Sequence, residues 1–196
     1  MAAVPQVRAS WLKYSIRSAK NYPPPAGTRV LEVIGSDLRA EIRATGPLGW
    51  MPVARFIQIC NAAVSALGVA GARAFWRKSL HDCIQQPLIR PLALGGLHLF
   101  GHSPGGLYRR TPQAWSLVTK GVGDMTTEPG PDPLSIWIRV RGLPEGARSQ
   151  ALMLLWEGGF VGQADFVRCP ATVDTDDRQL NLGNLDFFVR WKTPPE

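Results

Sequence analysis

The stretch Leu134-Ser-Ile-Trp-Ile-Arg-Val-Arg141 carries the strongest secondary-structure signal in the chain. Its aliphatic residues occupy every second position, while Trp137, Arg139 and Arg141 lie between them. Successive side chains of a strand point to opposite faces of a sheet. The alternation therefore predicts a strand with one buried face and one open, tryptophan- and arginine-bearing face.

More β-structure is predicted on the C-terminal side of this strand. Residues 165–173 and 184–191 are typical of strands, and the polar segment 174–177 between them makes the two antiparallel if it forms a hairpin. Pro144 favours the start of a helix that we expect to end at Gly158-Gly159, where glycines supply a C-terminal cap.

The N-terminal half is predominantly helical by the spacing of its apolar residues. Residues 28–34 are an exception, because their β-branched alternation predicts a strand. Helices are predicted from about Pro52 to Gly68, over residues 71–85, and over the almost wholly apolar residues 92–100, which we expect to be buried on most sides. Helices first and strands later indicate an α+β fold, with the helical half packed on an antiparallel sheet formed largely by the C-terminal half.

We predict an N-terminal arm over residues 1–28 and a single α+β domain over residues 29–193. The arm ends in successive prolines, which impose an extended backbone. It is basic, and its aromatic residues either form a patch for a membrane surface or partner groove, or fix the arm to the domain. The residues concerned are Trp11, Lys13, Tyr14, Ile16, Arg17 and Lys20.

Composition is that of a globular protein. The 196 residues are 45% hydrophobic, and no uninterrupted apolar run approaches the roughly 20 residues of a membrane-spanning helix. Three cysteines at unrelated spacings do not form a disulfide framework, which favours a reducing, cytoplasmic location. The net charge of +7 would attract phosphate backbones, anionic lipid or an acidic protein.

The spacing of glycine, proline and aromatic residues resembles a known family. The matching positions include Gly49-Trp50-Met-Pro52, Phe100-Gly101, Ser103-Pro104, Gly142-Leu-Pro144 and Phe188-Val-Arg-Trp191. They resemble uncharacterised bacterial proteins of about 200 residues, abundant in myxobacteria. That family is distantly similar to the vinyl-reductase-like and haem nitric-oxide-binding domains.

The resemblance implies a domain that senses a small molecule held between helices and sheet. The Tyr-x-Ser-x-Arg pattern that holds haem propionates in the nitric-oxide sensors is absent, and so is the cysteine cluster of the vinyl-reductase-like domains. We therefore expect no cofactor. The function predicted is non-enzymatic: ligand sensing, or interaction with a protein partner or a second copy as an adaptor or scaffold. The residues expected to line an apolar ligand pocket are Leu97, Phe100, Trp115, Trp137 and Trp156.

Catalytic motifs give no support for an enzyme. The chain has neither a Gly-x-Ser-x-Gly nucleophile elbow nor a phosphate-binding loop, and the nearest match has proline after Ser103.

Two alternatives to ligand sensing remain open. A nucleic-acid-binding module would use Arg109, Arg110, Arg139 and Arg141 with the tryptophan-rich surface. A metal or haem protein would use His98 and His102, which are four residues apart, with a third ligand from His81 or Cys83. No glutamate adjoins either histidine, and the competing interpretation is that His102 only caps the end of its helix.

Overall fold

The computed structural model describes residues 4–84, 90–100 and 103–192. The helices are α1 (Ala9–Asn21), α2 (Ala26–Ile34), α3 (Ser36–Ala44), α4 (Val53–Cys83), α5 (Arg90–Phe100), α6 (Pro104–Tyr108), α7 (Thr111–Val118) and α8 (Gln150–Phe166). The strands are β1 (Gln6–Arg8), β2 (Trp50–Pro52), β3 (Thr119–Lys120), β4 (Asp124–Pro129), β5 (Ser135–Arg141), β6 (Ala171–Asp176) and β7 (Leu185–Trp191).

The main sheet has four strands in the order β4-β5-β7-β6, and every neighbouring pair is antiparallel. Its buried face carries the alternating aliphatic residues of β5 and the residues Leu185, Phe187 and Val189 of β7. Helix α8 lies against this face. A second sheet is short, with β1 between β2 and β3. The predicted α+β class, with its antiparallel sheet from the C-terminal half, is confirmed.

The packing of α8 on α4 is the densest helix contact in the fold, and two glycines make it possible. A Cβ at Gly158 would overlap the carbonyl oxygen of Arg73, and one at Gly162 would overlap that of Arg77. The predicted helix end at Gly158-Gly159 is therefore wrong, because these glycines permit close backbone approach instead of capping the helix. The predicted strand over 165–173 is likewise shorter, since Asp165 belongs to α8 and β6 begins at Ala171.

Helix α4 combines the two helices predicted on either side of Gly68. Gly68 has φ 69° and ψ 176°, so the helix is kinked there and then continues to Cys83. By length and composition α4 also passes the test for a membrane span, a test that core helices of globular proteins pass as well. In this fold it packs against α8, α2 and α1.

Residues 26–34 form helix α2, so the strand predicted over 28–34 is wrong. Gly27, Val30 and Ile34 are buried at a spacing of three and four residues, which places them on one side of a helix facing α4. Burial along one helical face has overridden the strand propensity of the β-branched residues.

Only two of the α5 side chains that the structure describes are buried, so for these residues the prediction of burial on most sides is wrong. Ala93 and Leu97 are buried, whereas Leu94 and His98 are exposed. The buried pair forms a small cluster with Ile84 and Leu107, separate from the main core.

Within the predicted arm, α1 contributes directly to the main core. Trp11, Leu12 and Ala19 are buried in the same cluster as the residues of α4, α8 and the sheet. The division into an arm over residues 1–28 and a domain over residues 29–193 stays a prediction.

Candidate functional site

An apolar cavity of about 70 Å³ lies where α1, α4, α7, α8 and β4 meet. We call it the aromatic cavity. Its wall is made largely of apolar side chains, and α7 and α8 contribute most of it. The aromatic residues in the wall are Trp11, Trp115, Trp156 and Phe160.

Two tryptophans from different helices form the centre of this wall. The indole rings of Trp115 on α7 and Trp156 on α8 meet edge to face, with ring centroids 5.3 Å apart. Trp156 also contacts Phe187 of the sheet, at 5.8 Å between centroids. Helix α8 can place Trp156 between α7 and the sheet because its glycines, on another face, allow close packing on α4.

Hydrogen bonding around the aromatic cavity is incomplete. The Thr111 hydroxyl donates to Oε1 of Gln163 at 3.0 Å, and the indole N–H of Trp115 donates to the carbonyl oxygen of Val122 at 3.4 Å. The indole N–H groups of Trp11 and Trp156 are buried and have no hydrogen-bond partner among the described residues. A buried N–H without an acceptor is costly, because it has lost its water.

The Cys83 thiol also lines the aromatic cavity. Burial raises the pKa of Cys83 to about 12, so the thiol stays protonated at neutral pH. Because the thiolate is the nucleophile and the metal ligand, Cys83 is not suited to either role. It acts as a small apolar wall residue.

The structure brings together only part of the predicted ligand pocket. Trp115 and Trp156 line the aromatic cavity, whereas Leu97 belongs to the separate α5 cluster. Trp137 lies on the open face of β5, stacked on Phe188 with centroids 4.6 Å apart. The side chain of Phe100 falls outside the described part of the structure. Whether the five residues bind a ligand stays a prediction.

Sequence reasoning missed four polar or aromatic residues of the cavity wall. Trp11 was assigned to an arm, and Thr111, Phe160 and Gln163 were not assigned to a ligand pocket. A signal existed for Trp11, since a tryptophan followed by Leu12, Ser15 and Ala19 repeats with the spacing of a buried helix face. No sequence pattern pairs Thr111 with Gln163, because they lie 52 residues apart.

The arginines of the nucleic-acid alternative are largely neutralised on the sheet. Arg139 pairs with Glu128 at 3.0 Å and with Asp186 at 3.2 Å, and Arg141 pairs with Asp186 at 2.6 Å. Arg109 and Arg110 lie between α6 and α7, where Arg110 donates to Gln113. Because carboxylates already engage the sheet arginines, the arrangement does not favour a phosphate backbone as the ligand.

The predicted histidine pair lies only partly within the described residues. His98 is exposed on α5, and His102 lies outside the described residues. His81 packs edge to face on Phe166, with centroids 6.1 Å apart. Within residues 4–84, 90–100 and 103–192, no group of three His, Cys, Asp or Glu side chains is placed to hold a metal ion.

Several solved structures share this fold. An unliganded Fe(II) H-NOX protein mutant from K. algicida has a TM-score of 0.65 at 9% identity, covering 94% of this chain and 96% of its own. A mutant H-NOX from T. tengcongensis has a TM-score of 0.60 at 13% identity, covering 96% and 100%. An oxygen-binding H-NOX domain related to soluble guanylate cyclases, in its oxygen complex, has a TM-score of 0.60 at 14% identity, covering 95% and 96%.

These likenesses give the chain an H-NOX fold, that of haem nitric oxide/oxygen binding domains. The predicted distant similarity to haem nitric-oxide-binding domains is thereby confirmed at the level of fold. No protein-family model matches the sequence, and no curated protein matches it.

The comparisons also correct the prediction that the chain has no cofactor. Structures with this fold are described as carrying Fe(II) and as showing haem distortion, so haem is the cofactor that the fold suggests. The described residues around the aromatic cavity do not fit one. The cavity holds about 70 Å³, its wall contains no imidazole, and its one thiol is protonated. Cofactor and ligand pockets usually enclose about 300–1,000 Å³.

Proposed function

We propose that this chain is a ligand-sensing domain that takes a small, uncharged molecule with a hydrogen-bond acceptor into the aromatic cavity. One observation carries the proposal: the buried indole N–H groups of Trp11 and Trp156 have no partner among the described residues, and both tryptophans line the same apolar cavity. An acceptor atom placed beside either indole nitrogen would satisfy it, which gives binding both affinity and orientation.

The size of the cavity limits the ligand. An apolar protein cavity of about 150 Å³ binds benzene or xenon. A cavity of about 70 Å³ therefore suits a molecule of few non-hydrogen atoms, such as a diatomic gas. The description of one structure with this fold as an oxygen-binding domain supports the same size class.

The contacts of Trp156 offer a route from the cavity to the protein surface. Trp156 touches Phe187, whose neighbour Phe188 points to the opposite face of the sheet and stacks on Trp137. A ligand that shifts the Trp156 ring would change the packing of Phe187 and hence the twist of β7 against β5. The open face that carries Trp137 and Phe188 would present this change to a partner.

The proposal includes a non-enzymatic role in the cytoplasm, with the signal passed to a protein partner or a second copy of the chain. Support comes from the sensory character of the fold and from the partly exposed aromatic pair Trp137 and Phe188.

Indole N–H resonances of the seven tryptophans provide a direct test. Dissolved dioxygen is paramagnetic and enhances the relaxation of nuclei near the sites it enters, so it serves as the probe. We expect stronger enhancement for Trp11, Trp115 and Trp156 than for Trp137. Equal enhancement of Trp156 and Trp137 would contradict the proposal.

A pair of alanine variants controls for general effects. Ala114 lines the aromatic cavity, and Ala114→Leu should fill it and remove the enhancement. Ala54 is exposed on α4, and Ala54→Leu should leave the enhancement unchanged. An absorption spectrum of the chain purified from cells supplied with haem completes the test. A stoichiometric haem band would show that haem, and not a small molecule held directly by the aromatic cavity, is what the domain binds.

A further inference from the structure

A second cavity, of about 300 Å³, lies between α1 and α3 and shares no lining residue with the aromatic cavity. We call it the basic groove. Five of its seven lining residues are cations, and none is acidic: Lys13, Arg17, Lys20, Arg39 and Arg43. The remaining two, Ile16 and Ile42, give it an apolar floor.

The cations of the groove come from two helices at helical spacing. Lys13, Arg17 and Lys20 follow one face of α1, while Arg39 and Arg43 are one turn apart on α3. Like charges at this spacing repel and destabilise a helix. An anion bound in the groove would relieve this repulsion.

The described residues do not neutralise these charges. None of the five takes part in a salt bridge within the part of the chain that the structure describes, whereas arginines of α4, β5 and β7 do. Lys13 donates a hydrogen bond to the carbonyl oxygen of Arg43, and Arg39 donates one to the carbonyl oxygen of Gly35. These bonds position the two side chains but do not neutralise their positive charge. The one glutamate of α3, Glu41, pairs with Arg55 of α4 instead.

The volume of the basic groove and its apolar floor limit the class of ligand that it can bind. A groove of about 300 Å³ is at the lower end of the range for small-molecule sites. Guanidinium groups bind phosphate oxygens through paired hydrogen bonds, and lysine adds point charge. Ile16 is half-buried and presents part of its side chain to the groove, whereas Ile42 beneath it is fully buried, so a ligand that covers Ile16 gains affinity from an apolar part.

We propose that the basic groove binds a molecule with two or more phosphate groups next to an apolar or aromatic portion. A free nucleotide and a phosphorylated lipid headgroup share this chemistry. The site is separate from the aromatic cavity, and the two proposals stand or fall independently.

The test uses two triple variants with the same loss of charge. Arg17→Gln, Lys20→Gln and Arg43→Gln together remove the exposed cations of the groove. Arg29→Gln, Arg90→Gln and Lys192→Gln together remove exposed cations elsewhere. Both lower the net charge of +7 by three.

Calorimetric titration of the full chain with inorganic triphosphate, at physiological salt, is the first measurement. We expect saturable binding that weakens about tenfold or more in the groove variant and is retained in the control. Equal weakening in both variants, or no binding to the unaltered chain, would overturn the proposal, since the first outcome reflects net charge alone.

A second arm identifies the source of the phosphate. Vesicles with a multiply phosphorylated phosphoinositide are compared with vesicles of matched surface charge made from phosphatidylserine. Preference for the phosphoinositide, lost in the groove variant, assigns the groove to a lipid headgroup. If the chain binds ATP more tightly than triphosphate and does not prefer the phosphoinositide vesicles, the groove is assigned to a free nucleotide. The nucleoside then gains affinity from the apolar floor. Measurable and equal binding to both kinds of vesicle, with no preference for ATP over triphosphate, would overturn the proposal.

Discussion

Trp115 and Trp156 meet edge to face at 5.3 Å, yet only one of their two indole N–H groups has an acceptor. Trp115 donates to Val122, whereas Trp156 has no partner among the described residues. The two rings thus lie in the same wall, but only Trp115 forms a hydrogen bond. The same substitution at Trp156 can therefore serve as the control for one at Trp115.

Replacing each ring by phenylalanine should separate packing from hydrogen bonding. Trp115→Phe loses a bond and leaves the Val122 carbonyl without a donor, while Trp156→Phe removes an unsatisfied donor. Both changes lose similar volume, so we expect Trp115→Phe to lower the free energy of unfolding by about 1 kcal/mol more than Trp156→Phe. Urea denaturation measures the difference. The opposite order would show that Trp156 has an acceptor.

Close packing of α8 on α4 should make Gly162 intolerant of a methyl group. A Cβ there would overlap the Arg77 carbonyl, so Gly162→Ala should lower the free energy of unfolding by roughly 1–3 kcal/mol. No described residue lies within 4 Å of the position that a Cβ at Gly95 of α5 would take, so Gly95→Ala should instead raise stability by roughly 0.5–1 kcal/mol. Thermal unfolding of both variants provides the comparison. A neutral Gly162→Ala would mean that the two helices can move apart without cost.

Glu157 should contribute to stability through two partners. Its carboxylate accepts from Arg73 at 2.6 Å and from the Thr175 hydroxyl at 2.7 Å, and its side chain is only 9% exposed. Because Arg73 is half exposed, solvent screens the pair. We expect roughly 1–3 kcal/mol of destabilisation for Glu157→Ala and about 1 kcal/mol for Glu157→Gln, which keeps an acceptor for Thr175.

The pair Glu41 and Arg55 provides the control for Glu157. Both side chains are about two-fifths exposed, so Glu41→Gln should cost less than about 0.5 kcal/mol. Chemical denaturation of the three variants ranks them. A cost for Glu41→Gln equal to that of Glu157→Gln would contradict the role given to burial.

Stability should fall at alkaline pH because of the buried thiols. Burial raises the pKa of Cys83 to about 12, and it also raises the pKa of Cys60. Unfolded thiols ionise near pH 8.5, so above that pH the folded state binds more protons than the unfolded state. The free energy of unfolding should therefore be flat from about pH 7 to 8 and then fall by about 1.4 kcal/mol per pH unit for each thiol.

Denaturation between pH 7 and 10 measures this slope. The variant Cys60→Ala with Cys83→Ala should be less stable but should lose most of the slope. Val118→Ala, a truncation in the same wall, should lose stability and keep the slope. If the double variant kept the full slope, other groups would be responsible.

Sequence patterns correctly predicted the helices and strands whose formation depends on the local spacing of residues alone. The alternation around Trp137 predicted β5 and its two faces, and the proline and aliphatic spacing near Pro52 predicted the first half of α4. Local rules failed where packing decided the outcome. Residues 28–34 have strand propensity but form a helix because one face is buried against α4.

The glycines of α8 show why the candidate site was only half predicted. Glycine is typical both of a helix end and of a close contact between two helices, so Gly158 and Gly162 fit either interpretation. Only the position of α4 shows that they permit a close contact. Trp115 and Trp156 were identified as wall residues, but Trp11 was not, since its place depends on the contact of α1 with helices distant in sequence.

The position of β1 has a consequence for synthesis of the chain. This strand is the middle of its sheet, and the Arg8 side chain binds the carbonyl oxygen of Leu117, a partner 109 residues away. A ribosome releases β1 before β2 and long before β3, so β1 can pair early with β2 while its other edge waits for residues 119–120. Non-local closure of this kind slows folding. A bulky fusion placed directly before residue 4 would therefore hinder the final docking step, and a fusion after residue 192 would leave it free.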